Sequence, residues 1–209
     1  MERRRPEAFA TWLADASLGP GAPFDRGAFE IAFAGAGRRF GDDAVGAGTT
    51  VSSAGRTWSI TDWGLDEAAR ALLVLRGVAA LPAAEHPGLV DGLYRAGALR
   101  ERRAVLRVLA LLPDPPRFCA IALDACRASA QPIFEAIACE NPYPAACFTE
   151  PSFNQMALKA VFTGVAVARI LDLETRRTAD LARMAAAYAD ERRATGRPVP
   201  ADLALLGAP

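Results

Sequence analysis

Histidine and lysine are almost absent from this sequence. His86 is the only histidine and Lys159 the only lysine among 209 residues, so every other basic side chain is arginine. No Ser-His-Asp arrangement can be assembled around this single histidine, and no P-loop or G-x-S-x-G motif is present. The cysteines also form no Cys-x-x-Cys pair, which argues against a zinc site. We therefore expect no metal and no cofactor, and we interpret the cysteines as unbridged core residues: Cys119, Cys126, Cys139 and Cys147.

Net charge and long apolar runs are lacking too. The chain has 24 basic and 24 acidic residues, so no overall field attracts nucleic acid or an anionic bilayer. The basic start is followed by Glu7, Asp15 and Gly19, which interrupt any apolar signal-peptide core. No apolar run approaches the ~20 residues that span a membrane. These absences predict a cytoplasmic protein that neither crosses a membrane nor binds nucleic acid.

Helix-forming residues dominate from Leu65 onward, and the chain length suits one domain covering residues 1–209. The predicted fold class is all-α, with one short hairpin at 49–60 around Ala54-Gly55. Short links between helices favour irregular antiparallel pairs that resemble a HEAT-like α-solenoid. No sequence period is present, so an irregular bundle is the competing arrangement. The predicted helices are 6–16, 25–40, a helix from about 65 to 80, 87–96, 99–112, 116–129, 131–139, 152–164 and 175–195, with a docked terminal turn at 201–206.

Two helices carry specific expectations about their charged and apolar faces. Thr61 or Asp62 is predicted to cap the helix that starts near Leu65, and Leu72 is placed among its core residues. In helix 99–112, apolar side chains turn inward, and the arginines are expected to face solvent: Arg100, Arg103 and Arg107. His86 is placed in a proline-flanked loop.

Glu140 is the most unusual charge in the chain. It falls at the end of helix 131–139, where the helix dipole disfavours an anion, so we expect a cationic or hydrogen-bonding partner. Glu135, near the start of that helix, is interpreted as structural. Pro142-Tyr-Pro is expected to form an extended turn that leads to a helix capped by Ser152.

Polar side chains on the following helix complete the candidate site. Lys159 either pairs with Glu140 across adjacent helices or serves as a cation in a ligand pocket. Asn141, Asn154 and Gln155 either cap helix ends or line the same pocket. Two arginines on the last long helix either face solvent or join this cluster: Arg192 and Arg193.

Several long motifs resemble the EboA-domain family. They are Glu140-Asn-Pro-Tyr-Pro-Ala, Phe153-Asn-Gln-Met-Ala-Leu-Lys-Ala, Leu181-Ala-Arg-Met and the segment from Tyr188 to Pro200. The resemblance covers about residues 66–200, and the first sixty residues match nothing in it. By position, it marks Glu140, Asn141, Asn154, Gln155, Lys159, Arg192 and Arg193, which are called the motif residues below.

The resemblance implies a role in making or moving a secondary metabolite. Members of the family are encoded beside a UbiA-type membrane prenyltransferase, a TatD-type hydrolase, a sugar-phosphate cyclase and a TIM-barrel isomerase-like protein. It supplies no catalytic residues. Our leading hypothesis is a non-catalytic helical adaptor that binds a small polar metabolite or a partner protein through the surface from Glu140 to Lys159. The alternatives are an isomerase, lyase or transferase acting on a cyclitol-type intermediate, with Glu140 as base and Lys159 as clamp, or a purely structural scaffold.

Overall fold

The computed structural model describes Trp12 and residues 24–207. This part of the chain is mostly helical, as predicted. Trp12 is helical, and the rest of predicted helix 6–16 lies outside the described residues. The HEAT-like arrangement and the single domain stay predictions. The α-helices are α1 Arg26–Phe40, α2 Leu65–Ala80, α3 His86–Ala96, α4 Leu99–Val108, α5 Cys119–Arg127, α6 Gln131–Ala138, α7 Tyr143–Cys147, α8 Glu150–Thr163, α9 Leu173–Arg176, α10 Ala179–Ala194 and α11 Leu203–Leu206, and the strands are β1 Thr50–Ser53 and β2 Arg56–Ser59.

The chain divides into two compact units, residues 1–121 and 122–209. The division falls within α5. Among the described residues, the first unit contains α1 to α4 and the hairpin, and the second contains α6 to α11.

In the first unit, α1 packs on α2 through aromatic side chains. Asp25 caps α1 by accepting a hydrogen bond from the Ala28 amide at 3.1 Å, and Phe29 and Phe33 are buried. A Cβ on Gly77 of α2 would lie only 3.0 Å from the Phe29 ring, so glycine permits this close packing. The absence of a Cβ at Gly77 therefore allows α1 and α2 to approach each other closely.

The predicted hairpin is confirmed. β1 and β2 pair antiparallel, and the turn residues Ala54 and Gly55 both have positive φ, 49° and 76°. Two consecutive positive φ values match the twist of a two-residue hairpin turn. Trp58 on β2 is buried and attaches the hairpin to the core of its unit.

Helix α2 starts at a different cap from the one predicted. Its N-cap is Gly64, not Thr61 or Asp62, because the Glu67 carboxylate turns back and accepts a hydrogen bond from the Gly64 amide at 3.0 Å. A Cβ at Gly64 would overlap the Arg100 guanidinium and lie 2.7 Å from the Asp66 carboxylate.

The arginines of α4 contradict the expectation that they face solvent. Asp66 and Glu67 of α2 are 1% and 0% exposed, and buried carboxylates require cationic partners. Arg70 and Arg100 pair with Asp66, while Arg103, at 3.1 Å, and Arg107 pair with Glu67. These six residues are called the buried charge network. The prediction of a solvated face was wrong because α4 packs on α2 through its charged stripe.

Two smaller predictions in the first unit also need correction. Leu72, expected in the core, is 40% exposed, because the buried face of α2 includes Arg70 instead. His86 is not in a loop but begins α3, and its Nε2 atom lies 3.0 Å from the Leu81 carbonyl oxygen.

In the second unit, the proline-rich turn is helical rather than extended. Pro142 and Pro144 occupy the cap and first turn of α7, where a missing amide hydrogen costs nothing. Pro151 is the second residue of α8 and lies in its first turn, and the N-cap of α8 is Thr149 rather than Ser152. The Thr149 hydroxyl donates a hydrogen bond to the Ser152 hydroxyl at 3.1 Å.

The predicted helix 175–195 is two helices. Arg177 leaves the helical conformation after α9, and the Thr178 side chain caps α10 by accepting a hydrogen bond from the Leu181 amide at 3.3 Å. The terminal turn docks as predicted, since Leu203 and Leu206 are buried. No disulfide joins the four cysteines, all of which lie in the described residues; only Cys139 is fully buried.

Candidate binding site

Glu140 has a cationic partner, as predicted, and the partner is Arg169. The Glu140 carboxylate accepts hydrogen bonds from Arg169 Nε at 2.8 Å and Nη2 at 2.9 Å. Arg169 Nη1 also donates to Glu135 at 2.6 Å, and the Glu140 amide donates to the Arg169 carbonyl at 2.9 Å. The hydrogen bond to Glu140, opposed by burial, raises the pKa of Arg169. This pair fixes both the side chain and the backbone of Glu140, whose φ is +47°.

Lys159 does not pair with Glu140, so that part of the prediction was wrong. Its ammonium group donates to the carbonyl oxygens of Cys126 and Ala128, both at 2.7 Å. It also lies 4.8 Å from the centroid of the Phe134 ring. Carbonyls in the last turn of a helix lack intrahelical partners and attract a cation. Lys159 therefore satisfies the end of α5.

Asn141 bridges the connection between α6 and α7. Its amide nitrogen donates to the Ala136 carbonyl, and its amide oxygen accepts from the Tyr143 backbone, each at 3.0 Å. The side chain is 4% exposed. This is the capping role considered from the sequence.

The other motif residues have different surroundings. Gln155 is exposed on α8. Arg192 donates to the Pro198 carbonyl at 2.9 Å, and exposed Arg193 pairs with Asp190 at 2.7 Å. A binding role for the motif residues as a group stays a prediction.

Asn154 is a buried motif residue whose side chain has no hydrogen-bond partner in the described part of the chain. It is 0% exposed, and neither its amide oxygen nor its amide nitrogen has a hydrogen-bond partner among the described residues. A buried polar group in this state costs about 1–3 kcal/mol. Its placement in the core is therefore unfavourable for stability.

Replacing Asn154 with leucine, which has a similar shape, is expected to raise the free energy of unfolding by about 1–3 kcal/mol, because the unsatisfied amide is removed. Chemical denaturation of the purified protein measures this change. The matched variant Asn141→Leu removes an amide that has partners and should destabilise. A loss of stability in both variants would show that Asn154 is hydrogen-bonded in solution.

An irregular segment in the second unit is held by two arginines. Residues 164–178, called the clamped segment, contain the short helices Val167–Arg169 and Leu173–Arg176 and a left-handed residue, Asp172. Arg169 secures it through the two glutamates described above. Arg176 donates to the carbonyls of Ala145 and Phe148 at 2.9 and 2.8 Å. Long irregular segments that are rigidly positioned commonly carry binding functions.

A third contact holds the clamped segment from the C-terminal side. The Asp202 carboxylate accepts a hydrogen bond from the Val167 amide at 2.9 Å. Arg176 also lies over the buried Phe153 ring, 4.8 Å from its centroid. The backbone and a core aromatic residue thus fix the segment at several points.

The clamped segment borders a cavity of about 440 Å³, which is in the size range of small-molecule sites. Val167, Ile170 and Leu173 form its apolar wall, and Leu205 of α11 closes one side. Its polar residues are Asp172, Glu174, Thr175 and Arg177. The buried Nε atom of Arg177 has no hydrogen-bond partner among the described residues.

Sequence reasoning missed the residues of this cavity and the arginines that hold it. One signal was present: Arg169 is the only charge in Gly164-Val-Ala-Val-Ala-Arg-Ile-Leu. A single arginine in so apolar a stretch needs an acidic partner if the stretch packs in the core.

Two classes of site find no support within the described part of the chain. No helix there is both long and apolar enough to cross a membrane. The same residues contain no group of three or more histidine, cysteine, aspartate or glutamate side chains placed to hold a metal ion.

Comparison with known proteins gives one match. A family model described as metabolite traffic protein EboA matches residues 7–206. The match extends beyond the predicted range of about 66–200 into the first sixty residues, which carry none of the motifs named above. No curated protein and no solved structure gives a significant match.

Proposed function

The chain belongs to the EboA family, and from the family's description as a metabolite traffic protein we propose a non-catalytic helical binding protein that holds a small metabolite in the cavity of the clamped segment. One observation supports this function most directly. A cavity of ligand size lies on an irregular segment that arginine contacts hold in place, and it contains a guanidinium with an unsatisfied donor.

Preorganisation supports a binding role for this segment. Ordering a loop on binding reduces affinity, since the free energy of immobilisation must be offset by contacts with the ligand. Arg169 and Arg176 hold the clamped segment through hydrogen bonds of 2.6–2.9 Å. The ordering cost is therefore met during folding, before any ligand binds.

The positions of Glu140 and Lys159 support binding over catalysis. The alternative enzyme requires Glu140 as a base and Lys159 as an electrostatic clamp. Glu140 is bound on both oxygens by Arg169, and Lys159 is bound to two carbonyls. Burial raises the pKa of the Cys126 thiol to about 12, against the opposing effect of Lys159 and Arg127, so this thiol is protonated at neutral pH and is a poor nucleophile.

Partners and location remain part of the proposal. A binding protein in metabolite traffic hands its ligand to another protein, and the UbiA-type membrane prenyltransferase implied by the resemblance is the partner that we propose. We also propose a cytoplasmic location and a HEAT-like stacking of helix pairs within one domain.

Ala168→Trp is expected to abolish metabolite traffic while leaving the protein folded. Ala168 is exposed and lines the cavity, so an indole there fills the space without entering the core. Untargeted comparison of metabolites in cell extracts and medium measures the effect, using a strain that lacks the gene and carries either the wild-type or the variant copy. The Ala168→Trp strain should reproduce the profile of the deletion strain.

The matched control is Ala187→Trp, on an exposed position of α10. Both substitutions are at the surface and should change the free energy of unfolding by no more than about 0.5 kcal/mol. The control should retain the wild-type profile. A wild-type profile in the folded Ala168→Trp strain would refute a binding role for this cavity.

A further inference from the structure

Arg177 is the residue of the cavity whose hydrogen-bonding capacity is least used. A guanidinium has five N–H donors. Within the residues that the structure describes, this side chain makes one hydrogen bond, from Nη1 to the Leu205 carbonyl at 3.5 Å. Its buried Nε has no partner among the described residues. A buried donor without an acceptor is costly, so an acceptor from outside the protein would be favoured. Nε itself is enclosed by protein, so a ligand oxygen reaches it only when the guanidinium turns toward the cavity.

The unused edge of Arg177 has the geometry that binds an oxyanion. Nε and Nη2 of an arginine are parallel donors that match two oxygens of a carboxylate or phosphate. Within the same unit, Arg169 binds Glu140 through this edge, at 2.8 and 2.9 Å. In Arg177, the same two nitrogens make no hydrogen bond to the described residues, since its contact with Leu205 uses Nη1.

The remaining walls require an apolar portion in the ligand. Val167, Ile170 and Leu173 are buried beside the cavity, and Leu205 is a large apolar side chain that is 44% exposed. Apolar surface that a ligand covers contributes roughly 25 cal/mol per Å². An inorganic anion would leave these walls uncovered.

Asp172 and Glu174 limit the charge of the ligand. Both are exposed and line the cavity beside Arg177. A second anionic group would meet these carboxylates and be repelled, while hydroxyl groups on the ligand can donate hydrogen bonds to them. Any anionic group of the ligand is therefore restricted to Arg177, and neutral polar groups suit the rest of the cavity.

We propose that this cavity binds an amphiphile with one oxyanion headgroup, a carboxylate or a phosphate monoester, and that Arg177 pairs with the headgroup. This inference rests on the proposed function and specifies the class of metabolite. The apolar part of the ligand lies mainly against Leu205 and against the small exposed parts of Ile170 and Leu173.

Calorimetric titration with short-chain probes tests the inference on the full chain. Octyl phosphate and octanoate are each compared with octyl glucoside and with inorganic phosphate, all below the concentrations at which the amphiphiles form micelles. The two anionic amphiphiles are expected to bind at least about tenfold more tightly than the neutral amphiphile or the inorganic anion. The ratio between them shows whether phosphate or carboxylate is preferred.

Variants of Arg177 supply the second part of the test. R177Q should weaken binding of the preferred probe about tenfold or more, and R177K should restore only part of it, because lysine lacks the two parallel donors. The matched control is R197Q, which changes an exposed arginine that does not line the cavity and should bind like the wild type. Ala168→Trp should block binding and provides an independent variant if R177Q does not fold.

The outcomes separate this inference from the proposed function. Equal binding of octyl glucoside and octyl phosphate, unaffected by R177Q, would overturn the oxyanion class and leave a binding cavity in place. Binding of none of the probes would also overturn it. The metabolite profile of the Ala168→Trp strain tests the proposed function separately, since that experiment assumes no ligand class.

Discussion

Asp66→Asn is expected to lower the free energy of unfolding by about 3–5 kcal/mol, the range found when one partner of a buried ion pair is removed. The Asp66 side chain is 1% exposed and accepts hydrogen bonds from both Arg70 and Arg100. Asparagine keeps the size of the side chain but not its charge. Arg70, which is 5% exposed at its side chain, would then keep only the more distant Glu101 carboxylate, at 3.8 Å, as an acidic partner.

Urea denaturation at pH 7 measures this loss, and Glu30→Gln is its matched control. Arg26 and Glu30 form an ion pair at 3.0 Å in which both side chains are more than half exposed. Such pairs contribute between zero and about 1 kcal/mol. Equal destabilisation by the two variants would show that burial of the charge network adds nothing to stability.

The pH dependence provides a second check on the same variant. Burial acts to raise the pKa of Asp66, but hydrogen bonds from Arg100 and Arg70 outweigh it and hold the pKa below its ordinary value. A depressed pKa contributes stability that is present above the unfolded-state pKa, about 3.9, and is lost as pH falls through the folded-state value. The difference in stability between wild type and Asp66→Asn should therefore be constant near neutral pH and shrink below about pH 4. A difference that is unchanged at pH 2–3 would contradict this role.

Lys159→Met is expected to lower the free energy of unfolding by about 3 kcal/mol. The substitution keeps an unbranched apolar stem and removes the ammonium that donates to the Cys126 and Ala128 carbonyls. Hydrogen bonds to charged groups contribute about 1.5–3 kcal/mol each, and the two carbonyls at the end of α5 would lose this donor. The cation–π contact with Phe134 would also be lost.

Thermal or urea unfolding measures the effect, with Gln155→Met as control. Gln155 lies one turn earlier on α8 and is exposed, so its replacement should change stability by at most about 0.5 kcal/mol. Lys159→Arg should give an intermediate value, because arginine keeps the charge but not the compact ammonium. If Lys159→Met were as stable as the control, Lys159 would not be structural, and its role as a ligand-binding cation would regain support.

Helix positions in this chain follow from local sequence, and most of the predicted elements are present. The hairpin was found because Ala54-Gly55 separates two short alternating runs. The α10 boundary was missed because Arg177-Thr178 carries no proline or glycine, and the capping hydroxyl of Thr178 was not recognised as a helix start. The helical α7 was missed because prolines were interpreted as extended, although they also suit a first turn.

The buried charge network shows what apolar periodicity cannot reveal. The arginines at 100, 103 and 107 lie on one stripe of α4, and a charged stripe ordinarily faces water. Their partners, Asp66 and Glu67, are more than thirty residues earlier in the sequence. Whether these arginines are buried depends on which faces of α2 and α4 pack together, and the local sequence of either helix does not specify that packing.

The candidate site was only partly predictable for the same reason. The need of Glu140 for a cation was deduced from its position near a helix end, and that inference was sound. The alternative in which Lys159 pairs with Glu140 was wrong. The partner, Arg169, belongs to an irregular segment that has no helical or strand periodicity from which its position could be predicted. Asn141 could be assigned a capping role from its place before Pro142. The cavity at Arg177 depends on how α11 returns to the clamped segment, and local sequence does not specify that path.

Gly64 links a helix start to the charge network. A methyl group there would occupy space held by the Arg100 guanidinium and press on the Asp66 carboxylate, so any larger side chain at position 64 displaces one or both of these groups. Substitutions at residue 64 are therefore expected to accompany substitutions at residue 66 or residue 100. Related chains that replace the glycine are expected to carry a different residue at position 66 or at position 100.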